Sequence, residues 1–114
     1  MQIVKNTIHK SELRKIAEEG FGDMVKAVVD IERGIMAIGG ELHADGEAVL
    51  IDEEASKREN IWGINIYPDR PEENWIEFNS MVNIKPAHGN RSRGVENPDV
   101  RKKIITIVNK LVLE

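Results

Sequence analysis

Three clusters in this chain combine residue types that can do chemistry. The first is Glu41-Leu42-His43-Ala44-Asp45-Gly46-Glu47. Imidazole and carboxylate are ligands of divalent metals, and alternate residues of an extended chain share a face. As a strand, this segment places Glu41 beside His43, with Asp45 and Glu47 close by. His43 and Asp45 are therefore the candidate metal ligands, and a divalent metal is the cofactor they would take. The competing reading is a solvated histidine on an exposed acidic strand.

The second cluster is the loop His88-Gly89-Asn90-Arg91-Ser92-Arg93-Gly94. Two guanidinium groups, a hydroxyl and free backbone N–H groups are what a phosphate or carboxylate needs. Asn90, Arg91, Ser92 and Arg93 are accordingly expected to contact a small anionic ligand. Asp99 follows in the first turn of the next helix and would repel an anion from its N-terminus, which confines the site to the loop itself. The competing reading pairs the arginines with the chain's own carboxylates, which are in surplus.

The third cluster lies on a hairpin from Ile61 to Ile84, whose two arms alternate in polarity. With Tyr67 opposite Trp75, the register sets Asn65 against Glu77 and Gly63 against Asn79 on one face. Ile66 then meets Ile76, Ile64 meets Phe78 and Trp62 meets Ser80 on the other. The polar face offers Asn65, Tyr67, Glu77 and Asn79 as ligand-binding groups beside the notch left by Gly63. Glu77 is the candidate general base if burial raises its pKa. The competing reading is the ordinary solvated side of an antiparallel sheet.

The elements that must carry these clusters follow from periodicity. Gln2–Val4 can be a short strand. Leu13, Ile16 and Ala17 recur at helical spacing and predict a helix over about 11–19, with Ser11 as cap and Gly20 closing it in the left-handed region. Alternation over Met24–Ile31, a turn at Arg33-Gly34 and the return over Ile35–Ile38 predict a second hairpin. Asp45-Gly46 resembles a hairpin turn, so 41–51 is expected as strand rather than helix, and 52–60 as a charged loop. Pro68 and Pro71 stop the central hairpin's pairing at Tyr67. Asn97, Pro98 and Asp99 open the clearest helix, about 98–112, with an apolar stripe at Val100, Ile104, Ile107, Val108 and Leu111. The expectation is a single α+β domain, with a mainly antiparallel sheet of about 4–6 strands and both helices packed on one face.

Composition narrows the function classes. Apolar residues make up 40% of the 114 and charged residues 32%, which is the balance of a globular rather than a disordered chain. No cysteine is present, which excludes disulfides, thiolate metal sites and a thiol nucleophile. The high charge, the missing cysteine and the single Gln2 lean toward a thermophilic source. Nothing approaches the roughly 20 apolar residues of a membrane span, and the first ten residues lack the apolar stretch of a signal peptide, so a cytoplasmic location is expected. Basic residues concentrate in 85–103 although the net charge is −4. That split suits an anionic ligand or a self-complementary dimer. Overall acidity and the lack of interleaved aromatics disfavour nucleic acid. The familiar nucleophile-elbow, zinc-protease, calcium-loop and dinucleotide motifs are absent. The Gly89–Gly94 spacing lacks the Lys-Ser/Thr of a phosphate loop.

Gly39-Gly40-Glu41-Leu42-His43-Ala44-Asp45, Trp62-Gly63-Ile64-Asn65-Ile66-Tyr67-Pro68, and Asn83-Ile84-Lys85-Pro86 followed by Gly89-Asn90-Arg91-Ser92 carry a resemblance. Together they are similar to a family of small prokaryotic proteins, a domain of unknown function. The resemblance implies one domain over nearly the whole chain, and no activity, cofactor or catalytic residue. The function expected from the residues is binding of a small polar or anionic ligand, with metal assistance as an option and enzyme activity left open. The alternative is a non-enzymatic interaction module, a homodimer or adaptor whose basic 85–103 segment touches RNA or an acidic partner.

Overall fold

The computed structural model describes residues 1–114. In chain order the elements are β1 (Gln2–Val4), β2 (Ile8–His9), α1 (Lys10–Glu19), β3 (Val25–Asp30), β4 (Ile35–Ile38), α2 (His43–Glu54), β5 (Ile61–Ile66), β6 (Ile76–Glu77), α3 (Pro98–Leu111) and β7 (Val112–Leu113). Five strands form an antiparallel sheet in the order β1-β4-β3-β5-β6, and β2 pairs with β7 in a separate parallel ladder. This is the expected α+β domain, with the strands at 2–4, 25–30 and 35–38 where the alternation placed them.

The central strand β3 lies between β4 and β5; one of its faces is wholly apolar, and the other carries Val28 between Lys26 and Asp30. Val25, Ala27 and Val29 join Met36, Ile38, Trp62, Ile64 and Ile66 on one face. There they meet Leu13 and Ala17 of α1 and Ile104, Val108 and Leu111 of α3, so the two expected helices do share one face. On the opposite face Val28, Ile35, Ala37 and Ile61 pack against Leu50 of α2.

That third helix corrects the strand expected over 41–51 and shortens the loop expected over 52–60. Gly46 is not a turn residue but the point where α2 touches the sheet. A Cβ there would lie 2.6 Å from Val28 Cγ2 and 3.5 Å from the Ala37 Cβ. The preceding Asp45 starts the helix rather than a hairpin, its Oδ2 accepting the Leu42 N–H at 3.3 Å. Two smaller corrections concern α1. Its cap position is His9 rather than Ser11, with no side-chain cap bond, and Gly20 ends it at φ −113 rather than in the left-handed region.

The central hairpin keeps its register only near the Pro-rich connection. Asn65 pairs with Glu77 and Ile66 with Ile76, and the Tyr67 N–H donates to the Trp75 carbonyl at 2.8 Å. The three rungs expected beyond Glu77 do not form, and Met81–Asn83 is a 3₁₀ turn instead of strand. The cause is Gly63. Its empty side-chain position admits Ser80, whose Oγ and Cβ would lie 2.5 and 2.6 Å from a Cβ on Gly63. The Asn83 side chain then takes the place of the missing strand, bonding both backbone groups of Gly63.

Candidate functional site

The most polar part of the sheet is a row across three strands. Lys26 of β3 stands opposite Asn65 of β5, and Asn65 stands opposite Glu77 of β6. Strand parity turns all three toward the face that carries α2. Because α2 begins only at His43, it does not cover this row, and its first side chain reaches the row instead. The His43 Nε2 lies 2.8 Å from the Ile64 carbonyl oxygen. A carbonyl only accepts, so Nε2 carries the proton and Nδ1 presents a lone pair. No protein group bonds Nδ1, and it is not sealed from solvent.

Burial is the main reason the His43 pKa falls below the usual 6.5, and the positive charges of Lys26 and Arg93 push it the same way. The Ile64 carbonyl and the Asn65 side chain partly oppose this. The imidazole is thus neutral at pH 7, the state in which it can take up a proton.

Asn65 is buried, and its Nδ2 donates to Glu77 Oε1 at 2.8 Å and to the Asn79 carbonyl at 3.4 Å. Its Oδ1 is buried with no hydrogen-bond partner. The Tyr67 hydroxyl donates to the same Glu77 oxygen at 3.5 Å. Burial and the Glu77 charge together raise the phenol pKa above 10, so it stays protonated. The other Glu77 oxygen, Oε2, has no partner in the protein. At the rim the Arg93 Nε donates to Asn79 Oδ1 at 2.9 Å, and the Arg70 guanidinium lies 3.6 Å from the centre of the Tyr67 ring. The row therefore offers one open imidazole nitrogen, one open carboxylate oxygen and flanking cations. A ligand with both donor and acceptor groups matches that set.

The structure thus joins the first and third clusters through His43 and brings in only Arg93 from the second. Asn65, Tyr67, Glu77 and Asn79 converge as the register required. His43 and Asp45 do not form a metal pair. On a helix, residues two apart point to different sides, Asp45 is bound to the Leu42 N–H, and no group of three His, Asp or Glu side chains in the chain is placed to hold a metal ion.

In the 88–94 loop the anion-binding backbone groups are already engaged. Glu96 Oε2 accepts the N–H of Arg91 at 2.8 Å and of Ser92 at 2.9 Å, and these bonds hold its carboxyl below the usual range. Asn90 is 3% exposed, and its whole amide is used within the loop. Nδ2 donates to the carbonyls of Asn83, Ser92 and Gly94, and Oδ1 accepts the Glu96 N–H. Asn90 is therefore the organiser of this loop, not a ligand contact, while Arg91 and Ser92 lie exposed without a bond to the hairpin.

Two contributions escaped the sequence reading. Lys26 falls on the strand side opposite Val25, Ala27 and Val29, and only the position of α2 makes that side part of a site. Lys85 is buried, its Nζ donating to the Val82 carbonyl at 2.7 Å and lying 5.0 Å from the Trp62 ring centre. Burial lowers its pKa. Together with Asn83 and Asn90 it makes the 83–90 residues a structural latch.

Fold and site define a small α+β domain with a polar, partly uncovered sheet face. The chain belongs to the family described as protein of unknown function DUF5674, whose model matches residues 2–111. Neither the curated proteins nor the solved structures contain a match.

Proposed function

We propose that this domain binds a small polar or anionic ligand on the row formed by Lys26, Asn65 and Glu77, with His43 and Tyr67 as flanking contacts and Arg93 at the rim. The observation that carries the reading is the pair of open atoms, His43 Nδ1 and Glu77 Oε2, on side chains held at Ile64 and at buried Asn65, neighbours on β5. Lys26 also lines a groove of about 510 Å³ with Ile16, Phe21, Met24 and Leu42, a size that suits a small molecule. A cytoplasmic setting fits a polar ligand. No helix of the chain is long and apolar enough to cross a membrane.

The test is amide NMR of the isotope-labelled chain against a panel of small carboxylic and amino acids. A ligand that shifts Asn65 and Glu77 should bind about tenfold more weakly to His43→Gln and to Glu77→Gln, since a hydrogen bond to a charged group is worth about 1.5–3 kcal/mol. Equal affinity in both variants rejects the site.

A second reading is favoured by the apolar side of the same groove. Met1, Phe21 and Leu42 are all exposed there, the last two on the groove wall. Exposed apolar clusters mark protein contacts, so a homodimer through this wall is the competing function. Sedimentation across a concentration series distinguishes the two. A dimer that Phe21→Ser dissociates supports the second reading, and a monomer at every concentration removes it.

A further inference from the structure

A second pair of grooves lies away from the polar row, along the outer side of α3. One, of about 550 Å³, includes Lys102, Lys103 and Asp99. The other, of about 530 Å³, includes Lys5, Thr7, Arg33 and Lys110. They are contiguous, because Thr106 and Ile107 line both. Five cations and Asp99 line a single furrow, and Glu54 pairs with two of those cations, in a chain whose net charge is −4.

The two ends of the furrow differ in how their charges are held. Lys5 and Arg33 converge on Glu54, at 2.8 and 3.9 Å, so their positions are fixed by a carboxylate that leaves one positive charge over. Lys102, Lys103 and Lys110 take part in none of the chain's salt bridges. Lys103 and Lys110 are two helical turns apart on the same side of α3, about 10 Å along the axis. Thr106, between them, donates its hydroxyl to the Lys102 carbonyl at 2.9 Å, so it adds no competing donor and no charge.

We propose that this furrow is a binding site for a short linear chain of phosphates. Several oxyanions in a row match a row of cations that one compact carboxylate cannot satisfy. No aromatic residue lines either groove, so the site has no surface on which a nucleobase stacks. Recognition is therefore of the phosphate chain itself, whether free or carried on a nucleoside.

The experiment titrates the full chain with inorganic tripolyphosphate at low salt, followed by amide NMR and calorimetry. Saturable shifts are expected at Thr7, Gly34, Thr106 and Lys110. Lys103→Glu with Lys110→Glu, both exposed positions, should weaken binding at least about tenfold. Adenosine triphosphate should bind as tightly as tripolyphosphate, adenosine not at all, and raising the salt should release both phosphate ligands. Lys110→Gln alone reads the same effect should the double variant lose its fold. The proposal is overturned by an unsaturated titration, by shifts centred on 88–94, by unchanged affinity in the variants, or by adenosine triphosphate binding far more tightly than tripolyphosphate. His43→Gln should leave this binding intact, which separates it from the sheet-face site.

Discussion

Asn83 holds both backbone groups of Gly63: its Oδ1 accepts the Gly63 N–H at 2.7 Å, and its Nδ2 donates to the Gly63 carbonyl at 3.0 Å. Both residues are buried, and the side-chain amide acts as one rung of an antiparallel strand. The same Nδ2 donates to the Arg93 carbonyl at 2.9 Å, so one amide ties the 88–94 loop to the edge of β5. Asn83→Ala leaves these groups without partners in a dry place. Its unfolding free energy in urea should fall by about 2–4 kcal/mol. Asn83→Asp, which keeps the acceptor and loses the donors, should not restore it.

Gly63→Ala should also destabilise, through a different cause. The new methyl would meet Ser80 Oγ, Ser80 Cβ and Val82 Cγ2 at 2.5, 2.6 and 2.9 Å. A Cβ cannot move without its backbone, so the expected cost is about 1–3 kcal/mol. Adding Ser80→Gly removes two of those contacts and should recover part of the loss, a coupling that a double-mutant cycle in urea measures.

His43 gives the fold a pH dependence with a definite sign. Its folded pKa lies below the usual 6.5, so the unfolded chain binds the proton more readily. The stability it contributes is complete above pH 6.5, declines as the pH falls below that value and levels off beneath the folded pKa. An NMR titration of the His43 ring should show a midpoint under 6.5. His43→Gln should remove this part of the slope in thermal melts between pH 7 and 5, and an unshifted midpoint would contradict the burial argument.

Glu96 acts in the opposite chemical sense with the same outcome. Its folded carboxyl pKa is lowered by the N–H groups of Arg91 and Ser92, so loop order is kept above the usual 4.5 and lost as the pH falls through the lower folded value. The amide shifts of Arg91 and Ser92 should titrate together, with a midpoint below 4.5. In Glu96→Gln that transition should vanish, and both amides should exchange faster with solvent.

How much of this was legible in the sequence depended on whether the deciding partner was local. β3, β4 and α3 announce themselves because alternation, a Gly turn and an Asn-Pro start are set by neighbours in the chain. The pairing of Asn65 with Glu77 was readable for the same reason, as the Pro-rich connection fixes the register next to it. Gly46 and Gly63 were not. Both are glycines because something distant, Val28 in one case and Ser80 in the other, occupies the place of a side chain. The site inherits that division. Asn65 and Glu77 are legible from the hairpin register, while Lys26 and His43 join only because α2 exists, and Asn90 leaves because its partners at Asn83 and Glu96 claim its amide.

The two-rung ladder of β2 and β7 has a consequence for the helices it separates. β2 runs directly into α1, and α3 runs directly into β7, so the parallel pairing of Ile8 with Val112 and His9 with Leu113 sets the end of one helix near the start of the other. The partial negative charge at the end of α3 and the partial positive charge at the start of α1 thereby lie at the two ends of one short ladder. α1 has no side-chain cap, yet Glu114 follows the ladder to its first turn, where its backbone oxygen lies 3.3 Å from His9 Nδ1 and its side chain 3.5 Å from Lys10 Nζ. β7 thus carries the Glu114 carboxylate to the uncapped, partially positive start of α1.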